Sequence, residues 1–278
     1  MKDSASPSKK NPRPRDLAPA TFAAKAEDHA PALILFDIDG TLVLTGGAGG
    51  RAMSLAFEEI FGIRDAFRGV PLAGRTDAWI LRDGAAAHEI SPDSPALLRF
   101  RDAYLRHLVV ELEKPGPRKG IMPGIRQLLD ALSARDDIYL ALLTGNYEEG
   151  ARIKLEHFDL WRYFRCGAFG DEAPHRNGLV KKAVERVAAC GGPTIAAART
   201  VVIGDTPLDV AGAVFSGARS LAVATGSHTV DQLRASGADV VMQDLGDTEQ
   251  VLRVIADLGL RPSTGSGRPE ALGGPSRD

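Results

Sequence analysis

The chain has 278 residues, 44% of them hydrophobic, enough to bury a sizeable core in one large domain or two smaller ones. Its 34 basic and 36 acidic residues leave a formal charge of −2, so no global field recruits nucleic acid or an anionic membrane. No apolar run approaches bilayer-spanning length, no secretory signal opens the chain, and the two cysteines, Cys166 and Cys190, form no CxxC or Cys/His cluster. A cytoplasmic protein is expected, with ordinary unpaired thiols and no zinc.

Residues 1–30 are rich in Lys, Pro, Ser and Ala without apolar periodicity, which predicts a disordered, locally basic tail. Ala32 to Phe36 is a short continuous apolar run, as in a strand covered on both faces. Directly after it comes Asp37-Ile38-Asp39-Gly40-Thr41. Side chains two apart share a face of an extended chain, so both carboxylates project from the strand's carboxyl end, where open α/β sheets bind ligands. Carboxylates crowded in this way repel unless a cation or a proton sits between them. The plainer alternative is an Asp-Gly turn that Asp39 merely caps.

From about Leu44 to Met122 no convincing strand occurs. Met53, Ala56, Phe57 and Ile60 make one helical stripe, ended by Gly62; Leu97, Phe100, Tyr104, Leu108 and Leu112 make another, ended by Pro115-Gly116-Pro117. A helical insertion between the first two strands predicts a cap at residues 45–120, leaving 31–44 and 121–258 as an α/β core. Gly46 to Arg51 lacks the ending of a P-loop and reads as a hinge into this cap. His88 reads as surface, and Trp79 and Phe100 as packing within the cap.

A helix follows Pro123-Gly124, with Ile125, Leu128, Leu129 and Leu132 on one face. The apolar run Ile138 to Leu143 ends in Thr144-Gly145-Asn146, where a hydroxyl and successive N–H groups could hold an anion, although the same residues make ordinary turns. Lys154, on an amphipathic helix, reads as surface. Leu179, Val180, Ala183, Val184 and Val187 mark another helix. Thr200 to Ile203 then runs into Gly204-Asp205-Thr206-Pro207-Leu208-Asp209. Pro207 suits an early helical position, and Asp209 suits either the helix terminus or a functional site. Asp205, which ends an apolar strand, has less structural excuse. Ser220 to Ala224 and Asp239 to Met242 resemble the earlier strands, and residues 261–278 read as a second disordered tail. Short apolar strands alternating with helices predict a doubly wound parallel sheet, a Rossmann-like α/β fold.

DxDGT, a strand ending in Thr-Gly-Asn, and GDTPxD, in this order at three strand ends, together resemble the haloacid dehalogenase-like superfamily across roughly residues 31–257. The helical insertion, with its segment Gly74-Arg75-Thr76-Asp77, is similar to the cap of the phosphoglycolate phosphatase and β-phosphoglucomutase branch. The resemblance implies a Mg²⁺-dependent phosphatase acting on a small phosphorylated metabolite. Asp37 would be the nucleophile and Asp39 the general acid and base. Mg²⁺ would be held by the Asp37 carboxylate, the Asp39 carbonyl and Asp205, with Asp209 supporting the metal from behind. Thr144, Gly145 and Asn146 would bind phosphoryl oxygens, and Arg75 and Thr76 would touch substrate from the cap. The family's usual lysine, often in a Lys-Pro pair, is missing; Arg176 stands near its place, with Lys181 and Lys182 as alternatives. Asp171 and Glu172 could add to metal binding. The same residues would serve a sugar-phosphate mutase. A dehalogenase is disfavoured by the second acidic residue, and a catalytically quiet binding module by the intact trio of Asp37, Asp39 and Asp205.

Overall fold

A computed structural model describes residues 31–172 and 176–260; the two tails predicted to be disordered lie outside the described residues. Among the described residues, eight strands and nine α-helices follow one another as β1 (Ala32–Phe36), β2 (Val43–Leu44), α1 (Ala48–Phe61), α2 (Asp77–Ala87), α3 (Phe100–Glu113), β3 (Gly120–Ile121), α4 (Ile125–Ser133), β4 (Ile138–Leu143), α5 (Glu148–His157), β5 (Gly167–Ala168), α6 (Leu179–Ala189), β6 (Thr200–Gly204), α7 (Pro207–Ser216), β7 (Arg219–Val223), α8 (Val230–Ala235), β8 (Val240–Met242) and α9 (Thr248–Ile255). Among the described residues no helix is long and apolar enough to cross a membrane.

Six strands form one parallel sheet in the order β5-β4-β1-β6-β7-β8. β1 lies between β4 and β6, and every one of its residues is buried. Its side chains alternate between two layers. Ile34 and Phe36 join a core with residues of α4, α5 and α9, while Leu33 and Leu35 join one with residues of α6 and α7. Helices on both faces explain why the strand sequences are continuously apolar. The chain moves from β1 outward in both directions, so the carboxyl ends of β1, β4 and β6 converge at the switch point of the sheet.

The segment between β1 and β4 departs from the alternation. Helices α1, α2 and α3 gather a further hydrophobic cluster around Phe57, Phe67, Phe100 and Tyr104, which Tyr147 joins from beyond β4. Two short strands are added to the expectation: β2 and β3 pair antiparallel, Val43 with Ile121 and Leu44 with Gly120, where the chain enters and leaves the inserted helices. Gly46 and Gly47 turn into α1 at φ 63° and 81°, a left-handed geometry that favours glycine. The predicted hinge is thus partly helix, because Gly49 and Gly50 already belong to the first turn of α1.

One expectation fails outright. Cys166 and Cys190 are joined in a disulfide, with Cα atoms 6.3 Å apart across 24 residues of sequence. The crossover explains the meeting. α6 packs back along β5, which sets the end of the helix beside the residue preceding the strand.

Candidate active site

The three motifs meet at one place. A cavity of about 330 Å³ lies between the carboxyl ends of the sheet and the inserted helices, and its wall includes Asp37, Asp39, Thr144, Asn146, Arg176 and Asp205. Asp37 follows β1 directly, and its backbone N–H donates to the Ile203 carbonyl at 2.9 Å, fixing it beside β6. Asp205 follows β6. Asp209 sits in the first turn of α7, whose start is set by Pro207 and by a reciprocal cap. Thr206 Oγ1 accepts from the Asp209 N–H, while Asp209 Oδ2 accepts from the Thr206 N–H at 3.1 Å.

Asp37, Asp205 and Asp209 are all buried and bring carboxylate oxygens within 4.8 Å of one another. Burial pushes the Asp37 carboxyl up to about 6, with Arg176 pulling it down and Asp209 pushing it further up. Burial raises Asp205 to about 8, and Asp37 and Asp209 add to the rise. Fully ionised, three carboxylates would carry more negative charge than Arg176 alone offsets, and Asp37 and Asp205 hold their protons more tightly in consequence. The cluster is also closely walled. A β-carbon at either Gly40 or Gly226 would collide with the Asp205 carboxylate, so backbone closes around that oxygen pair on two sides. Thr41 Oγ1 donates to Asp205 Oδ1 at 3.5 Å. An all-oxygen donor set with excess negative charge suits a hard divalent cation such as Mg²⁺ and not zinc. Asp209 is the least available of the three, since Oδ2 caps Thr206 and Oδ1 pairs with Arg176. Asp37 and Asp205 are left facing the cavity.

Arg176 is 3% exposed and fills the space behind these acids. Its guanidinium lies 2.8 Å from Asp37 Oδ1, pairs with Asp209, and donates to the carbonyls of Leu143 at 3.2 Å and Gly74 at 3.5 Å. Burial works against its charge, but Asp209 and Asp37 outweigh that and hold it firmly protonated. Lys181 and Lys182 lie exposed on α6, and Lys182 faces Glu185 at 3.7 Å. Of the three candidates, only Arg176 reaches the acids.

The loop after β4 supplies neutral donors. The Thr144 hydroxyl is buried and accepts from the Asn146 N–H at 3.3 Å and from Asn146 Nδ2 at 2.7 Å, which leaves its own hydrogen to donate. The Gly145 carbonyl accepts from the Asp77 N–H at 2.7 Å, and Asp77 Oδ2 accepts from the Tyr147 N–H at 2.9 Å. A β-carbon on Gly145 would run into the Arg75 carbonyl. The segment Gly74-Arg75-Thr76-Asp77 is thus brought against this loop.

Its individual side chains do not all behave as expected. Arg75 lines the cavity, though its guanidinium also pairs with Asp83 and lies 4.4 Å from the centre of the Trp79 ring. Thr76 is fully buried and caps α2 by accepting from the Trp79 N–H at 3.1 Å; its place is at the helix start and not in the cavity wall. Asp171 is committed to Arg101 and the start of α5, and Glu172 to Arg186, so neither joins the cluster of Asp37, Asp205 and Asp209. His88 bonds to the Ala66 carbonyl at 3.0 Å, and Phe100 lies in the core of the inserted helices.

Lys154 reverses its expectation. Only 4% exposed, it reaches Asp39 Oδ2 at 2.7 Å and Asn146 Oδ1 at 2.6 Å. The signal was present in the sequence: Gly150, Ala151, Lys154 and Leu155 form the buried face of α5, so the lysine occupies a stripe position. Tyr104 was read only as part of an apolar stripe, yet its hydroxyl is buried in the cavity wall without a hydrogen-bond partner among the described residues.

The sequence profile of the HAD family, haloacid dehalogenase-like hydrolases, matches residues 34–213. The protein named "Probable phosphatase IndB" from Dickeya dadantii is 28% identical over 237 residues, covering 83% of this chain and 97% of that protein. A phosphoglycolate phosphatase from Mesorhizobium japonicum is 27% identical over 225 residues, covering 80% and 86%. Among solved structures, CbbY from Rhodobacter sphaeroides in complex with phosphate superposes with a TM-score of 0.61 at 20% identity, covering 78% of this chain and 96% of that one. A haloacid dehalogenase-like family hydrolase from Streptococcus pneumoniae gives 0.55 at 23%, covering 81% and 98%.

Proposed function

This chain belongs to the haloacid dehalogenase-like hydrolases, and from that premise we propose that it is a Mg²⁺-dependent phosphatase of small phosphate monoesters. The observation that carries the reading is the meeting, around one cavity, of Asp37, Asp39 and Asp205 with Arg176 and the Thr144 loop. Asp37 attacks phosphorus and forms an aspartyl phosphate as the ester bond breaks. Asp39 delivers a proton to the leaving oxygen, then takes one from the water that cleaves the acyl phosphate. The Thr144 hydroxyl and the Gly145 N–H donate to phosphoryl oxygens, and Arg176 orients Asp37 while offsetting its charge. Mg²⁺ bound by Asp37, Asp205 and the Asp39 carbonyl would neutralise charge developing on the phosphoryl oxygens.

The inserted helices act in this reading as a cap that encloses the reacting groups and selects the ester. A cavity of about 330 Å³ fits a small substrate. With a phosphoglycolate phosphatase among its relatives, a phosphoglycolate-like ester is the first metabolite to try. Purified protein should hydrolyse p-nitrophenyl phosphate, lose that activity in EDTA and regain it with Mg²⁺. Asp37→Asn should fold and bind phosphate but release no nitrophenol. Activity that survives complete chelation, or near-normal turnover by Asp37→Asn, refutes the proposal.

A further inference from the structure

The buried ammonium of Lys154 has no part in the mechanism above, yet its placement constrains the one residue asked to move protons. Asp39 Oδ2 accepts two bonds, from Lys154 Nζ at 2.7 Å and from Asn146 Nδ2 at 2.8 Å. Among the described residues no side chain hydrogen-bonds to Asp39 Oδ1. The clamp is closed on itself, because Asn146 Oδ1 accepts from the same Lys154 Nζ at 2.6 Å and Asn146 Nδ2 also reaches Thr144 Oγ1 at 2.7 Å. Lys154 is 4% exposed, whereas the Asp39 side chain is 42% exposed. The acid faces the cavity, and its holders are fixed in the wall.

We propose that Lys154 is a positioning residue for proton transfer: together with Asn146 it fixes Asp39 Oδ2, making Oδ1 the atom that gives and takes the proton. The inference rests on the reading of Asp39 as acid and base. Its chemical logic is that an oxygen accepting two donors keeps both bonds whether or not the other oxygen is protonated. In the first step the Oδ1 proton passes to the leaving oxygen as the ester P–O bond breaks and the Asp37–phosphorus bond forms. In the second, water adds to phosphorus, its proton passes to Oδ1, and the Asp37–phosphorus bond breaks. The carboxyl group need not rotate between the steps, because the Oδ2 clamp holds throughout. A neutral side chain at position 154 leaves Asp39 held from Asn146 alone and free to turn about its χ2 bond.

The test separates the two steps. Lys154→Met keeps length and loses the donors; Lys154→Gln keeps one donor and serves equally if the first variant does not fold. With p-nitrophenyl phosphate, whose leaving group needs no proton, a burst of nitrophenol matching the enzyme concentration should appear at a rate within about fivefold of wild type. Steady-state turnover should then be slower by about 10²-fold, a typical loss for a misplaced catalytic group. With an alkyl phosphate the first step itself should slow by about 10²-fold and no burst should form, with KM nearly unchanged. Lys154→Arg, which retains charge and donors, should recover at least part of the loss. Equal slowing of the burst and of the alkyl reaction, or no slowing of either, overturns the proposal. Asp39→Asn run beside it separates the two readings. If that variant shows no dependence on leaving group, the acid–base role of Asp39 itself is wrong; if it does while Lys154→Met does not, only the Lys154 proposal is wrong.

Discussion

Removing the Arg176 guanidinium tests the electrostatic design of the site. At 2.8 Å from Asp37 Oδ1, an ion pair at an effective permittivity near 20 is worth about 6 kcal/mol before desolvation is charged against it. Truncating one partner of such a buried pair typically costs about 3–5 kcal/mol, because the remaining charge is stranded. Here two acids are stranded, Asp37 and Asp209, and the Leu143 and Gly74 carbonyls lose a donor. Arg176→Ala should therefore melt roughly 10 °C below wild type in calorimetry without Mg²⁺, at about 2–4 °C per kcal/mol for a chain of this size. It should also lower kcat/KM by about 10²-fold. Loss of the cation moves the Asp37 carboxyl further above its present value of about 6. Since the nucleophile must be ionised, the acidic limb of the pH profile should shift to higher pH. Arg176→Lys should recover part of the activity but not the contacts to both carbonyls, which need the planar fork. Lys181→Ala and Lys182→Ala, on the exposed face of α6, should be nearly silent. A stable Arg176→Ala with kcat/KM within about threefold of wild type would refute the assignment.

Two further predictions follow from the same geometry. Asp37 and Asp205, raised to about 6 and about 8 from an ordinary 3.8, hold protons that a cation must displace, so Mg²⁺ should bind more tightly at pH 8 than at pH 6; calorimetry in two buffers of different ionisation heat should show protons released. The metal-free protein should behave oppositely, most stable below about pH 4 with respect to these two groups and losing that contribution as pH rises through 6 to 8; equal Mg²⁺ affinity at both pH values would contradict the proton displacement from which both expectations start. Asp77→Ala should cost about 1–3 kcal/mol in a thermal melt, because it strands the buried Tyr147 N–H, and should raise KM more than it lowers kcat; an unchanged melting curve would count against the contact.

The strand–helix frame was legible in the sequence because each central strand is buried on both faces and so reads as an unbroken apolar run. The three motifs were legible because their residues follow those runs directly. Short elements were not: β5 has only Gly167 and Ala168, and β2 and β3 have two residues each, too few for periodicity to register. Lys154 was misread because charge suggested surface, although its spacing from Gly150, Ala151 and Leu155 put it on the buried side of α5. Thr76 was read as a ligand contact when the commoner task of a threonine before a helix, capping it, was the one performed. The disulfide depends on α6 doubling back beside β5, a tertiary relation that no spacing of two cysteines encodes.

The Thr144–Asn146 loop has two faces, and they belong to different partners. One looks into the cavity; the other is bonded to the inserted helices through the Asp77 N–H and, just beyond the loop, through Tyr147. Such an arrangement makes the grip on an anion and the seating of the helices thermodynamically reciprocal. Any free energy by which a bound phosphate favours the seated arrangement over the lifted one is the same free energy by which seating tightens the phosphate. Under the proposed function, an inorganic phosphate that favoured the seated arrangement would oppose the parting of the helices, and weakening either bond should then loosen product and helices together.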